Sequence, residues 1–171
     1  MGVFRTRYRL PVEYSTEIGR LITRWAFLEW RMRELTYLVL RLSPKEGRVA
    51  VRDPRATGQL TMLEDLLDLR SLKTSISLKA FHTPFEKLQE LRDAIGHGIW
   101  MNHPGSKVPV LQWLKGSYPE LPGGKSVKAR IYPGSMRVSL NDLRLAINAI
   151  GQHIADLEKI RDEIEAQVSP G

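Results

Sequence analysis

The tightest constraint on what this chain can fold into is an apolar seam within residues 13–42. Leu21, Trp25, Leu28, Met32, Leu35, Val39 and Leu42 follow one another at alternating steps of four and three. Only an α-helix gathers such positions on one side, and a seam of this period is the packing edge of a helix laid nearly antiparallel to its neighbours. A second long stripe closes the chain: Leu143, Ile147, Ile150, Ile154, Leu157, Ile160, Ile164 and Val168 predict a helix over residues 140–168. Ser139 is placed to cap it, with Asp142 in its first turn. A helical bundle follows.

Between these two helices the signals are mixed. Residues 43–55, SPKEGRVAVRDPR, hold the turn pairs Ser-Pro, Glu-Gly and Asp-Pro and read as a connection with a brief extended piece at 49–51. Thr61 and Glu64 then form a capping-box pattern ahead of Met62, Leu63, Leu66, Leu67, Leu69, Leu72 and Ile76. That apolar face belongs inside, with Glu64, Asp65, Asp68 and Arg70 on the solvent side. Further on, Pro104, Gly105, Pro109, Gly116, Pro119, Pro122, Gly123, Gly124, Pro133 and Gly134 exclude helix across most of residues 102–134. Residues 108–114 read as one strand. Val127, Ala129 and Ile131, alternating with Lys128, Arg130 and Tyr132, read as its hairpin partner. The basic outward face of that hairpin would either track a phosphate backbone or protect an exposed edge from association.

The expected fold is therefore mostly all-α: an up-down bundle of about four helices with a β-hairpin insertion at about 102–137, before the last helix. With 171 residues, 42% of them hydrophobic, the chain is long enough to bury one sizeable core and short for two, so residues 1–171 are read as a single domain. There is no cysteine, which removes disulfide frameworks and thiolate metal sites and fits a reducing cytoplasm. No apolar run reaches membrane-spanning length, so the expected setting is the cytoplasm and away from membranes.

The net charge of +7 favours polyanionic partners such as RNA. Arg5, Arg7 and Arg9 open the chain as a basic arm, read first as a solvated tail and second as a nucleic-acid contact. Arg20, Arg24 and Arg31 line one face of the first helix with Phe27 and are expected to be solvated or paired with Glu17 and Glu34 rather than bound to RNA. Phe27, Trp30 and Tyr37 lie off the seam, which suggests either a dimer interface or a second contact within the chain.

Chemistry concentrates in residues 82–101, HTPFEKLQELRDAIGHGIWM. Thr83, Pro84 and Glu86 signal a helix start, and Phe85, Leu88, Leu91, Ile95 and Ile99 form its stripe. At about 100° per residue Arg92 falls within that stripe, while His97 lies roughly 140° further round. An arginine on a core face breaks the local pattern, as functional sites do. Asp93 stands four before His97, close enough in a helix to hold the imidazole in one tautomer. Gly96 leaves space above the guanidinium, and Gly98 is a terminator. A forked cation, a carboxylate and an imidazole at one helix end suit phosphate chemistry.

The string RDAIGHGIW, residues 92–100, resembles the R-x4-6-H signature of the HEPN superfamily, in which an arginine is followed by Asn, Asp or His and then by a histidine. Arg92, Asp93 and His97 match those positions in turn. The family pattern implies a helical domain and, in many members, a metal-independent endoribonuclease acting as a toxin or phage-defence effector. Such members form a homodimer with a composite site, and some are neutralised by an antitoxin protein. One subgroup carries a tyrosine two residues after the histidine; this chain has Ile99 there and departs from that subgroup.

On this reading RNA is the partner, and no cofactor or metal is expected. His97 would serve as general base for the 2′-hydroxyl or as general acid for the leaving oxygen. Arg92 would stabilise the crowded phosphate and Asp93 would orient His97. The alternative is a non-catalytic helical module of the same kind, binding a nucleotide, nucleic acid or a protein partner. Walker loops, dinucleotide-binding glycine patterns, HExxH and nucleophile-elbow motifs are all missing from the sequence. His153 reads as structural, and His82 and His103 flank the key helix without a telling spacing.

Overall fold

The first seam forms α1 (Val12–Leu40), in which Leu21, Trp25, Leu28, Met32, Leu35 and Val39 are all buried. A computed structural model describes residues 10–51, 56–101, 108–117, 120–121, 125–126 and 130–168. The arm arginines Arg5, Arg7 and Arg9, together with His103, Val127, Lys128 and Ala129, lie outside the described residues.

α1 stops at Arg41, whose φ of 56° is left-handed; the Leu42 amide then donates back to the Tyr37 carbonyl at 2.9 Å. The expected connection after it is instead a short helix, α2 (Pro44–Ala50). Ser43 caps α2 through a full capping box with Glu46, and Pro44 takes the first helical position, where its missing N–H has no partner to lose. The Ser-Pro pair that looked like a turn is this helix start, and the extended piece expected at 49–51 does not form. α2 lies against Tyr37: a Cβ added at Gly47 would come within 2.5 Å of the tyrosine ring. Of the three aromatics off the seam, Tyr37 thus meets its own chain, while Phe27 and Trp30 remain exposed.

α3 (Ala56–Leu69) begins five residues before the expected Thr61 cap. Thr61 sits inside it, and its hydroxyl donates to the Thr57 carbonyl at 3.2 Å. The helix ends before Leu72 and Ile76, because Ser71 turns left-handed at φ 54° and the Leu72 amide donates to Leu67. Glu64, expected on the solvent side, is mostly covered and holds His82 at 2.9 Å and Lys79 at 3.7 Å.

A 3₁₀ turn over Leu78–Phe81 runs straight into α4 (His82–His97). The residue before α4, Phe81, is already helical and makes no side-chain cap, so the expected box of Thr83 and Glu86 is not used. Pro84 still falls in the first turn, where amides lack intrahelical acceptors. The last helix, α5 (Leu140–Val168), starts as expected: the Asp142 amide donates to Ser139 Oγ at 3.1 Å, and the Ser139 amide donates to the Asp142 carboxylate at 2.8 Å.

Cross-contacts set the helix directions. α4 runs antiparallel to α1, with Phe85 on Trp25 at 5.0 Å between ring centroids and Trp100 on Tyr14 at 6.0 Å. It is also antiparallel to α3, since Gln89 accepts from the Thr57 amide while His82 meets Glu64. α5 runs the same way as α1, against the antiparallel packing expected of the α1 seam: Glu17 meets Arg144, Arg24 meets Ile147, and Arg31 meets Glu158. The chain therefore returns from the end of α4 to the start of α5 at one end of the bundle.

A three-stranded antiparallel sheet makes that return. Its order is β1 (Ile99–Met101), β2 (Val110–Ser117), then β5 (Arg130–Arg137), with Val110 opposite Arg137 and Leu114 opposite Pro133. Near the tip, β3 (Glu120–Leu121) pairs with β4 (Lys125–Ser126). The hairpin stands: its second strand includes residues 130–132 of the expected 127–132 and runs on through Pro133 and Gly134 to Arg137. An edge strand tolerates proline because one row of its amides needs no partner in the sheet. β1 is a further correction: residues 99–101 were expected to continue the helix.

His153 sits on α5 against Phe81 and Phe85, with ring centroids 4.8 and 6.3 Å away and its Nδ1 buried without a partner among the described residues. Burial holds the imidazole below its ordinary value, and nearby Asp156 opposes this. The unfolded chain therefore takes up this proton first as pH falls through about 6.5, and the native state loses stability there. Replacing His153 with leucine should flatten the fall in Tm between neutral pH and mildly acidic pH, as read by circular dichroism. An unchanged slope would show that this ring stays solvated.

Candidate functional site

The last turn of α4 is fixed from below by Ala94 and Ile95, both buried, and from beyond by Trp100, which is 8% exposed against Tyr14. Tyr14 is itself buried at the start of α1, and burial raises its phenol above the usual value; the Leu140 backbone, bonded to it, works in the other direction. The starts of α1 and α5 and the end of α4 thus meet at one place. On that base stand Arg92, Asp93 and His97.

Arg92 Nη1 donates to Asp93 Oδ1 at 2.8 Å, and the two side chains are 34% and 46% exposed. The carboxylate expected to orient His97 therefore holds Arg92 instead. His97 is exposed, and no partner for its ring lies among the described residues. Five residues of helix separate Arg92 from His97, so the two leave the axis roughly 140° apart. Among the described residues no hydrogen bond or ion pair joins the two side chains.

The helix ends at Gly98, whose amide donates to the Ala94 carbonyl at 2.7 Å. The terminator reading holds, yet the backbone there is extended rather than left-handed, so the chain passes directly into β1. A Cβ at Gly98 would lie 2.6 Å from Leu111 Cδ1 and 2.9 Å from the Gln112 carbonyl, and would also press on the Ala94 carbonyl. Glycine is needed here for close approach. At Gly96 a Cβ would meet nothing within 4 Å, which fits the open space expected beside Arg92.

Those two glycines give a paired expectation. Gly98→Ala should wedge β1 away from β2 and cost about 1–3 kcal/mol of stability. Gly96→Ala should be neutral or stabilising by up to about 1 kcal/mol, because alanine is the better helix residue. Urea midpoints of both variants would check this. Equal midpoints would mean that α4 and the sheet are not packed as described.

Ile99 and Met101 were not foreseen as part of the site. They are 70% and 37% exposed on β1, which is an edge of the sheet directly after His97. Their alternation with buried Trp100 is a strand pattern, legible once Gly98 is read as ending the helix. Among the described residues, no three of His, Asp and Glu gather closely enough to hold a metal ion. None of the described helices is long and apolar enough to cross a membrane. No protein-family model, no curated protein and no solved structure matches this chain.

Proposed function

We propose that this protein is a metal-independent endoribonuclease whose working group is the Arg92, Asp93 and His97 cluster at the end of α4, acting as a toxin or phage-defence effector. The observation that carries the reading is the exposure of His97, free of partners among the described residues, about one and a half helical turns from a guanidinium held by Asp93. An imidazole that faces solvent with no described partner is open to contact by a substrate. A guanidinium whose position is fixed loses less entropy on gripping a phosphate.

In this mechanism His97 removes the 2′-hydroxyl proton of RNA or supplies one to the leaving 5′-oxygen. Arg92 stabilises the charge that builds on the phosphoryl oxygens, and Asp93 positions Arg92. The divergence of Arg92 and His97 favours a homodimer with a composite site. The exposed edge of β1, with Ile99 and Met101 beside the motif, is the apolar surface on which a second copy fits. An antitoxin protein covering the same end would silence it.

A second reading, a non-catalytic module that binds nucleotide, nucleic acid or a protein partner, is favoured by one observation: Asp93 is engaged by Arg92, so no carboxylate among the described residues orients His97. Incubation of the pure protein with mixed cellular RNA in EDTA separates the two. The ribonuclease yields fragments ending in 2′,3′-cyclic phosphate; the binding module leaves the RNA whole while still retaining it on a filter.

A further inference from the structure

We propose that the groove between α1 and α5 is a binding site for single-stranded nucleic acid, with phosphates on Arg20, Arg24 and Arg144 and bases on Phe27 and Trp30. The groove encloses about 800 Å³ between the two helices, and its lining includes Glu17, Arg20, Thr23, Arg24, Arg144 and Asn148. It flanks the side of α1 that meets α5, whereas Trp25 turns toward α4. The site thus goes beyond the Arg92 and His97 cluster and does not depend on it.

Three guanidinium groups share this groove with one lining carboxylate. Glu17 is only 6% exposed and accepts from Arg144 Nε at 3.1 Å and, more loosely, from Arg20 Nη1 at 3.4 Å. Arg24 donates to a neutral acceptor, the Ile147 carbonyl, at 3.3 Å, and no carboxylate pairs with it among the described residues. A Cβ at Gly151 would come within 2.8 Å of Arg24 Nη1 and meets no other group inside 3.5 Å, so glycine there makes room for the guanidinium. The buried carboxylate therefore fixes the arginines without cancelling them. The side chains of Arg20 and Arg144, 65% and 59% exposed, keep N–H groups turned to solvent.

Further along the same helix lie Phe27 and Trp30, 39% and 43% exposed, with their ring centroids 5.3 Å apart. The Arg31 guanidinium backs both rings at 5.0 and 4.9 Å and is itself neutralised by Glu34 and Glu158. Two rings braced in this way form a platform on which flat bases stack. The two carboxylates beside the platform repel phosphates and confine them to the arginine end. An acidic peptide would satisfy the arginines but would leave the rings without a flat partner, which selects a nucleic acid strand.

The test is fluorescence anisotropy with fluorescein-labelled oligo(dT), oligo(U) and an RNA duplex. Oligo(dT) has no 2′-hydroxyl, so its binding is read without cleavage and stands apart from the ribonuclease reading. Phe27→Ala with Trp30→Ala should weaken oligo(dT) binding about tenfold or more. Arg20→Gln with Arg24→Gln should weaken it too, and should make the dependence of log K on log salt shallower by about 1.4. All four side chains lie on the surface, and unchanged circular dichroism and Tm would show that these variants fold. Tighter binding of oligo(U) than oligo(dT) marks RNA as the strand, and parity marks either. The proposal is overturned if oligo(dT) does not bind, if either double variant binds like wild type, or if polyglutamate displaces the oligonucleotide as well as unlabelled oligo(dT) does.

Discussion

His97→Ala is expected to lower RNA cleavage by about 10²- to 10⁴-fold, the usual contribution of a positioned acid or base. The ring is exposed and touches no described partner, so Tm should stay within the small range of a surface substitution. Arg92→Ala should cost about 10²- to 10³-fold through lost stabilisation of the developing phosphoryl charge. Arg92→Lys should not restore the rate, because a compact ammonium cannot reproduce the two parallel contacts of the fork. Asp93→Asn should have a smaller effect, since Asp93 acts through the 2.8 Å contact that holds Arg92.

The proposed composite site adds a sharper expectation. Mixing Arg92→Ala with His97→Ala protein, after unfolding and refolding together, should restore part of the activity neither has alone, because mixed dimers carry one intact guanidinium and one intact imidazole. The measurement is cleavage of labelled RNA in EDTA with cyclic phosphate detected at the new ends. Wild-type rates for His97→Ala, with the fold intact, would remove the catalytic assignment and leave the binding module.

Trp25→Ala should be the most damaging single change to the fold. The indole is 1% exposed, packs on Phe85 of α4 at 5.0 Å, and donates its Nε1 proton to Glu29 at 2.8 Å. Removing it leaves a cavity between α1 and α4 that closes only partly, at a cost of about 3–5 kcal/mol. For a chain of this length that lowers Tm by roughly 6–20 °C. Trp25→Phe should cost much less, since a ring remains against Phe85. Thermal melts of the two variants would decide; a loss no larger than that of an exposed residue would mean that α4 is held by other contacts. Because α4 carries Arg92 and His97, activity in Trp25→Ala should fall with the folded fraction and not ahead of it.

Periodic patterns and complete capping boxes were legible because they are local. The stripe of α1 and the Ser139 and Asp142 start of α5 need only residues within a few turns of one another. The Ser43, Pro44 and Glu46 start of α2 was equally local, yet proline and serine serve both turns and helix starts. Thr61 with Glu64 and Thr83 with Glu86 carried the same pattern without forming a cap, since each threonine lies inside helix already begun upstream. The ends of α1 and α3 were hidden for a different reason: Arg41 and Ser71 adopt left-handed backbone that usually announces itself as glycine.

The candidate site divides along the same line. The sequence by itself determined that Arg92, Asp93 and His97 share the end of one helix and that a β-hairpin separates it from the last; Gly98 marked a stop there, while Ile99 still read as part of the helical stripe. Those are properties of helical geometry and of residues that cannot continue it. Only the tertiary structure decided that Asp93 pairs with Arg92 and leaves His97 open, because both partners lie within reach of the carboxylate and sequence spacing does not rank them. It also decided that α5 runs alongside α1 in the same direction, since the sheet returns the chain to the end it started from. That parallel placement puts Arg144 beside Arg20 and Arg24 and builds a basic groove from residues more than a hundred positions apart, which no local pattern encodes.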